Sequence, residues 1–134
     1  MQMGTRCFLI DNDEDDQEIF LLALQEIDPS ISVAVADNGT DAINQLADRG
    51  QIPSFIFIDM NMPAMNGRQC LEAIREMSHL ASVPVYMYST AANPRSIEEV
   101  KKLGATDFIV KPPSFKELTR LLAAILPAKN PGNE

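Results

Sequence analysis

Six side chains in this sequence sit where short apolar runs give way to polar residues. Asp11 and Asn12 follow Cys7 to Ile10, and Asp59 ends the run Ser54 to Ile58. Ser89 and Thr90 follow Val83 to Tyr88, and Lys111, with Pro112 behind it, follows Asp107 to Val110. Together they offer carboxylates, hydroxyls and one ammonium. That set suits a phosphoryl group. A carboxylate can attack phosphorus and carry it as an acyl phosphate. A divalent cation, Mg²⁺ best of all, screens the oxygens and needs one or two carboxylates besides substrate oxygens. A hydroxyl and an ammonium can hold the remaining phosphoryl oxygens.

This chemistry requires that the residues meet. The apolar runs read as strands, and the segment from Ser54 to Asp59 reads as a strand buried on both faces. Helical spacing lies between the runs. Ile19, Phe20, Ala23, Leu24 and Ile27 mark a first helix stopped by Asp28-Pro29-Ser30. A second strand, Ile31 to Ala36, leads to a short helix ending near Gly50. A third helix after Asn66-Gly67 carries Cys70, Leu71, Ile74 and Met77. The fourth starts at Asn93-Pro94 or at the competing capping box Ser96 to Glu99, carries Ile97, Val100 and Leu103 inward, and closes at Gly104. The last, opened by Ser114 and Glu117, carries the stripe Phe115, Leu118, Leu122 and Ile125.

Strand then helix, five times, predicts an α/β fold with a parallel sheet and helices on both faces. In such a sheet all the strand ends lie on one edge, where ligands bind. The polar residues therefore converge.

With the convergence stated, the chain resembles the receiver domain of two-component response regulators, the CheY-like group. The resemblance rests on the acidic start Asp11-Asn12, on Asp59 with Pro63 and Gly67 beyond it, on Ser89, and on Lys111-Pro112. It covers residue 6 to about residue 127. It implies a flavodoxin-like three-layer α/β/α fold whose five parallel strands run in the order 2-1-3-4-5, with five helices; the order is a known property of this fold. It implies Asp59 as phosphoacceptor, Ser89 as switch hydroxyl and Lys111 as phosphate-pairing cation. Phe108 would be the aromatic whose rotamer follows Ser89. Asp11, Asn12, Asp59 and the backbone carbonyl of Asn61 would hold Mg²⁺, and the Lys111-Pro112 bond would be cis. The partners implied are a histidine kinase or histidine phosphotransfer protein, and a downstream protein on the face of helix 4, strand 5 and helix 5, around Glu98 to Leu121. Such a protein is not an enzyme beyond its own phosphorylation and dephosphorylation.

One position departs from the pattern. The family usually places a coordinating carboxylate where Asn12 stands. Losing that charge predicts Mg²⁺ binding weaker by about tenfold or more, since a charge pair at ~4 Å is worth roughly 4 kcal/mol at an effective dielectric of 20, less the desolvation avoided. Asp13 is adjacent and is expected to compensate in part. Asn12 is also the one feature favouring an alternative: a pseudo-receiver, an interaction module independent of phosphorylation. An enzyme such as an aspartate-based phosphatase would want a second aspartate where Asn61 stands, and no glycine-rich nucleotide loop occurs.

The bland readings are these. Asp13 to Asp16 suit a solvated helix N-terminus, where the macrodipole favours acids. Asp59 could cap the following turn. His79 reads as a surface residue, and Met60, Met62 and Met65 as walls of the site. Cys7 and Cys70 read as buried free thiols.

The 134 residues suit one domain, a receiver over residues 1–128 standing alone, with a disordered tail over 129–134. A net charge of -8 argues against nucleic-acid binding. No apolar run approaches the ~20 residues of a membrane span, and no signal peptide is visible, so a cytoplasmic location is expected.

Overall fold

The computed structural model describes residues 4–126. The expected tail, residues 129–134, lies outside the described residues. Five parallel strands, β1 (Arg6–Ile10), β2 (Ser32–Ala36), β3 (Phe55–Asp59), β4 (Val85–Ser89) and β5 (Asp107–Val110), form one sheet. Its order is β2-β1-β3-β4-β5, as expected of a flavodoxin-like fold. The helices are α1 (Glu14–Ile27), α2 (Gly39–Leu46), α3 (Gly67–Arg75), α4 (Pro94–Lys102) and α5 (Phe115–Ile125).

Strand alternation divides the core into two layers. Cys7, Leu9, Phe55, Phe57, Tyr88 and Ile109 pack with Phe20, Ala23 and Leu24 of α1 and Leu118 and Leu122 of α5. Phe8, Ile10, Ile56, Ile58, Val85 and Met87 pack on the other side, with Ala42 and Leu46 of α2, Cys70, Leu71 and Ile74 of α3, and Val100 of α4. Every residue of β3 is buried. This is the double burial that its unbroken apolar run called for.

Helix starts follow local chemistry. The side chains of Asp13, Asn38, Asn66, Asn93 and Ser114 each accept a backbone N–H of the helix they precede. Asn66 and Gln69 form a reciprocal capping box. Of the two starts expected for α4, Asn93 with Pro94 at the first helical position is the one adopted. Gly104, at φ 110°, ends α4 in a conformation that suits glycine.

Several expectations are corrected. Helix α2 stops at Leu46, short of Gly50, and Met77 lies beyond α3, just before an unexpected 3₁₀ turn, Ser78–Leu80. That turn tucks Leu80 into the core. His79 is half-buried, and its Nε2 hydrogen-bonds the Leu46 carbonyl at 2.7 Å. Ile19 and Phe115 are 43% and 41% exposed. Phe20, one position on, takes the inward place on α1, and Phe115 belongs to the first turn of α5, ahead of Leu118. The Lys111-Pro112 peptide is trans, as is every described peptide bond. Trans is the ground state of a proline peptide by about 0.5–1 kcal/mol unless its surroundings demand otherwise. Cys7 and Cys70 are free and buried, as expected.

Gly67 fixes how closely α3 approaches the end of β3. A Cβ at this position would lie 2.5 Å from the Asp59 carbonyl oxygen and 2.7 Å from the Met60 Cα. The Gly67 amide donates to the Met60 carbonyl at 3.2 Å, so the backbones cannot separate without losing that bond. Gly67→Ala is expected to lower stability by about 1–3 kcal/mol, the range for forced overpacking. Denaturant unfolding checks it, and an unchanged midpoint would show that the loop yields freely.

Candidate functional site

Asp59 closes β3, and Asp11 directly follows β1. Each continues its strand's alternation, so both carboxylates fall on the side of the sheet covered by α1 and α5. Asp11 is fully buried and Asp59 is 6% exposed. One oxygen of each is satisfied locally. The Asp13 amide donates to Asp11 Oδ1 at 2.9 Å, and the Asn61 amide donates to Asp59 Oδ1 at 3.1 Å. Asp59 therefore does brace the following turn, as the bland reading had it, but with one oxygen only.

The other oxygens face Lys111. Parallel pairing continues one residue past β5, where the Lys111 amide donates to the Ser89 carbonyl at 2.7 Å, and this directs the side chain inward. Its Nζ lies 3.4 Å from Asp11 Oδ2 and 3.7 Å from Asp59 Oδ2. A third carboxylate is nearer still: Asp16 Oδ2, on the first turn of α1, at 2.7 Å. The Tyr88 ring completes the surroundings, its centroid 5.0 Å from Nζ.

Ser89 ends β4 on the opposite parity, with Met87, toward the α4 side. It is 4% exposed, and its Oγ accepts the Ala91 amide at 3.3 Å. Thr90, the rival hydroxyl, is exposed. Phe108 is half-buried on the Ser89 side of the sheet. Asn12 and Asn61 are exposed beside their aspartates. Met60 and Met65 pack half-buried, and Met62 buried, into the α2–α3–α4 core. An open cleft of about 670 Å³ between the loop after β3 and α4 is lined by Met60, Asn61, Met62, Asn66, Arg68 and Glu99, without Asp59 itself.

The electrostatics follow from burial. Burial raises the Asp11 carboxyl from 3.8 to about 6. The Asp13 amide and Lys111 pull it down, while Asp59 and Asp16 push it up. For Lys111, burial acts to lower the pKa, but the Asp16 hydrogen bond and the charges of Asp11, Asp59 and Asp16 outweigh it and raise the value. Tyr88 is raised by burial first and then by the three carboxylates, so it stays a neutral phenol.

Three carboxylates around one ammonium leave two negative charges unmatched when all are ionised. That excess fits a divalent cation. Among the described residues no three His, Cys, Asp or Glu side chains converge as a complete cage. A cation that keeps several waters and takes only one or two carboxylates, as Mg²⁺ does, needs none. Asp11 and Asp59 are the residues that fit it.

Asp16 is the residue that the sequence reading missed. The expectation of a solvated helix start over Asp13 to Asp16 holds for Asp13, whose side chain caps α1 by accepting the Asp16 amide at 3.0 Å, but not for Asp16. A signal was present: Asp16 precedes Phe20 by four and Ala23 by seven, on the inward stripe of α1.

The chain matches the family model described as response regulator receiver domain over residues 7–123. Two-component response regulator ORR1 of Oryza sativa subsp. japonica is 32% identical over 123 residues, covering 87% of this chain and 53% of that protein. Two-component response regulator ORR11 of Oryza sativa subsp. indica is 34% identical over 95 residues, 71% of this chain and 64% of that protein. The chain thus spans only part of the length of these curated relatives. The chemotaxis response regulator CheY4 of Vibrio cholerae superimposes with a TM-score of 0.80 at 26% identity, covering 92% of this chain and all of that one. The phosphorylated cyanobacterial phytochrome response regulator RcpA shares the fold, with a TM-score of 0.81 at 23% identity over 92% of this chain and 91% of that one.

Asp11 gives a pH test on metal-free protein. Its folded value, about 6, lies above the ordinary 3.8, so the native state binds its proton more tightly than the unfolded chain does. The stability this confers is present below about pH 4 and lost as pH rises through 6. Asp11→Asn cannot ionise. It is expected to melt higher than the parent at pH 7, by about 3 °C, with the gap closing toward pH 4. Melting curves in chelator across that range check this, and a gap independent of pH would contradict it.

Proposed function

The chain belongs to the response regulator receiver domain family, and from that membership we propose that Asp59 accepts a phosphoryl group from a phosphohistidine donor in a Mg²⁺-dependent reaction. The observation that carries the reading is the meeting of Asp11, Asp59 and Lys111, from three separate strand ends, within 3.7 Å of one ammonium.

An oxygen of Asp59 attacks phosphorus, the bond from phosphorus to the donor imidazole nitrogen breaks, and an acyl phosphate forms. The freed nitrogen keeps the electron pair of that bond. Asp11 and Asp59, with the carbonyl oxygens of Asn61 and Asn12, would hold Mg²⁺. When bound, the cation supplies charge that offsets the phosphoryl oxygens. Lys111 pairs with one phosphoryl oxygen, and the Ser89 hydroxyl donates to another.

The transferred group adds about -1.5 to -2 of charge and three strong acceptors beside Asp59. Ser89 then turns from its local Ala91 contact toward the phosphoryl group. The exposed loop after β4 follows it, and Phe108 repacks into the space released. Phe108 carries no hydroxyl, so it signals by packing alone. The output passes to a protein partner on α4, β5 and α5. Val110 and Phe115, 44% and 41% exposed, give that face apolar anchors. The donor is a histidine kinase or a histidine phosphotransfer protein, and the module, residues 1–128, turns over no other substrate. Among the described residues no helix is long and apolar enough to cross a membrane. With two buried free thiols, this fits a cytoplasmic protein.

Incubation with acetyl phosphate and Mg²⁺ is expected to add one phosphoryl group to the intact mass, with no gain in Asp59→Asn and none in chelator. A parent protein that stays unmodified would leave the phosphorylation-independent interaction module as the better reading.

A further inference from the structure

Lys111 has three carboxylate neighbours at unequal distances. Asp16 Oδ2 is at 2.7 Å, Asp11 Oδ2 at 3.4 Å and Asp59 Oδ2 at 3.7 Å. Only the first is a short charge-assisted hydrogen bond, the class that is both strong and orienting. The ion pair is mostly sheltered, with the lysine side chain 11% exposed and the Asp16 side chain 37% exposed. It is therefore not the fully solvated kind that contributes little. It also joins residues far apart in the chain, from the start of α1 to the end of β5.

The site has an electrostatic gap at Asn12, where the receiver pattern would place a carboxylate. Asp13 does not fill it. Its carboxylate is exposed and committed to capping α1. Asp16 sends its carboxylate into the cluster instead. The site thus holds three carboxylates and one ammonium, the same balance that an acidic residue at position 12 would give without Asp16.

We propose that Asp16 is a positioning residue of the phosphoacceptor site: it supplies the charge that Asn12 lacks and holds the Lys111 ammonium away from Asp59. The inference rests on the receiver reading and deepens it. At 3.7 Å the ammonium is beyond hydrogen-bonding distance of the Asp59 oxygen that faces it. That oxygen stays unmasked for attack. Without Asp16, the nearest partners left to the ammonium are Asp11 and Asp59. It would close on them and occupy the ground that a cation between these two carboxylates requires. The Tyr88 ring, 5.0 Å from Nζ, limits movement on another side.

The test is Mg²⁺ affinity, read by calorimetric titration on the full chain, with melting temperature in chelator as the control for folding. Asp16→Asn is expected to weaken Mg²⁺ binding about fivefold, the scale of removing one unit charge several ångströms from a dication in a partly solvated site. Asn12→Asp in the parent is expected to tighten binding about tenfold. Asn12→Asp combined with Asp16→Asn is expected to return to within about twofold of the parent, because the charge has moved rather than gone. A role confined to the α1 macrodipole would lower the melting temperature of Asp16→Asn and leave Mg²⁺ affinity unmoved, and that result overturns the proposal. The two readings fail separately. A parent that binds Mg²⁺ and gains phosphoryl mass, beside an Asp16→Asn protein of equal affinity, sinks the role of Asp16 alone. A parent that does neither sinks the receiver chemistry, and this inference with it.

Discussion

One ammonium set among three carboxylates is the constraint on which the rest of this structure depends. Like charges gathered in a partly buried space repel, and each has lost water. The cluster persists because every member has a partner. A backbone amide serves one oxygen of Asp11 and one of Asp59, and Lys111 lies against the others. The balance is still negative. A site built for stability alone would not leave it so. Such a surplus suits a cation, and the elevated Asp11 carboxyl reflects burial first and the charges of Asp59 and Asp16 after it.

The scaffold around the cluster is correspondingly stiff. Phe57 of β3 meets Phe20 of α1 edge-on at 5.0 Å and Tyr88 of β4 at 5.8 Å. These rings sit one step behind the charged end of the sheet, and Tyr88 belongs to both groups, packing into the core and flanking the lysine. Gly67 lets α3 start almost in contact with the Asp59 backbone. Parity then separates Lys111 from Ser89. Lys111 comes from the α1 and α5 side and pairs with Asp59, whereas Ser89 lies toward α4, its hydroxyl on the Ala91 amide.

Much of this was legible in the sequence because it depends on local rules. Strand ends, caps, the glycine that closes α4 and the order of the site residues follow from composition at fixed positions. What was not legible depends on tertiary choice. Asp16 and Asp13 are both acids at a helix start. Asp13 precedes the helix and caps it, while Asp16 shares the stripe of Phe20 and Ala23, and that stripe is known to face inward only once Phe20 rather than Ile19 is seen to be buried. Ile19 and Phe115 satisfy a helical stripe on paper, yet Phe20 takes the inward place on α1 and Phe115 stands at the first position of α5, so both stay exposed. The 3₁₀ turn at Ser78–Leu80, which buries Leu80, answers to packing that no single segment encodes, whereas the trans peptide at Lys111-Pro112 is simply the intrinsic preference of a proline bond.

The helices differ in how firmly they are held. On one side of the sheet α1 and α5 pack against each other and bury Phe20, Ala23, Leu24, Leu118 and Leu122. On the other, α2 and α3 bury Ala42, Leu46, Cys70, Leu71 and Ile74, but α4 buries Val100 alone. Its tie to α3, the Arg68–Glu99 pair at 2.6 Å, is 44% and 48% exposed, a setting in which an ion pair contributes about 0–1 kcal/mol. An element with so few buried contacts is drawn from the low end of local stability. Lys111 therefore lies on the side of the two mutually packed helices, and Ser89 leads into the one sparsely buried helix. Lys111 is held by three carboxylates at the end of the sheet, whereas the helix that follows Ser89 is the least buried of those around the site.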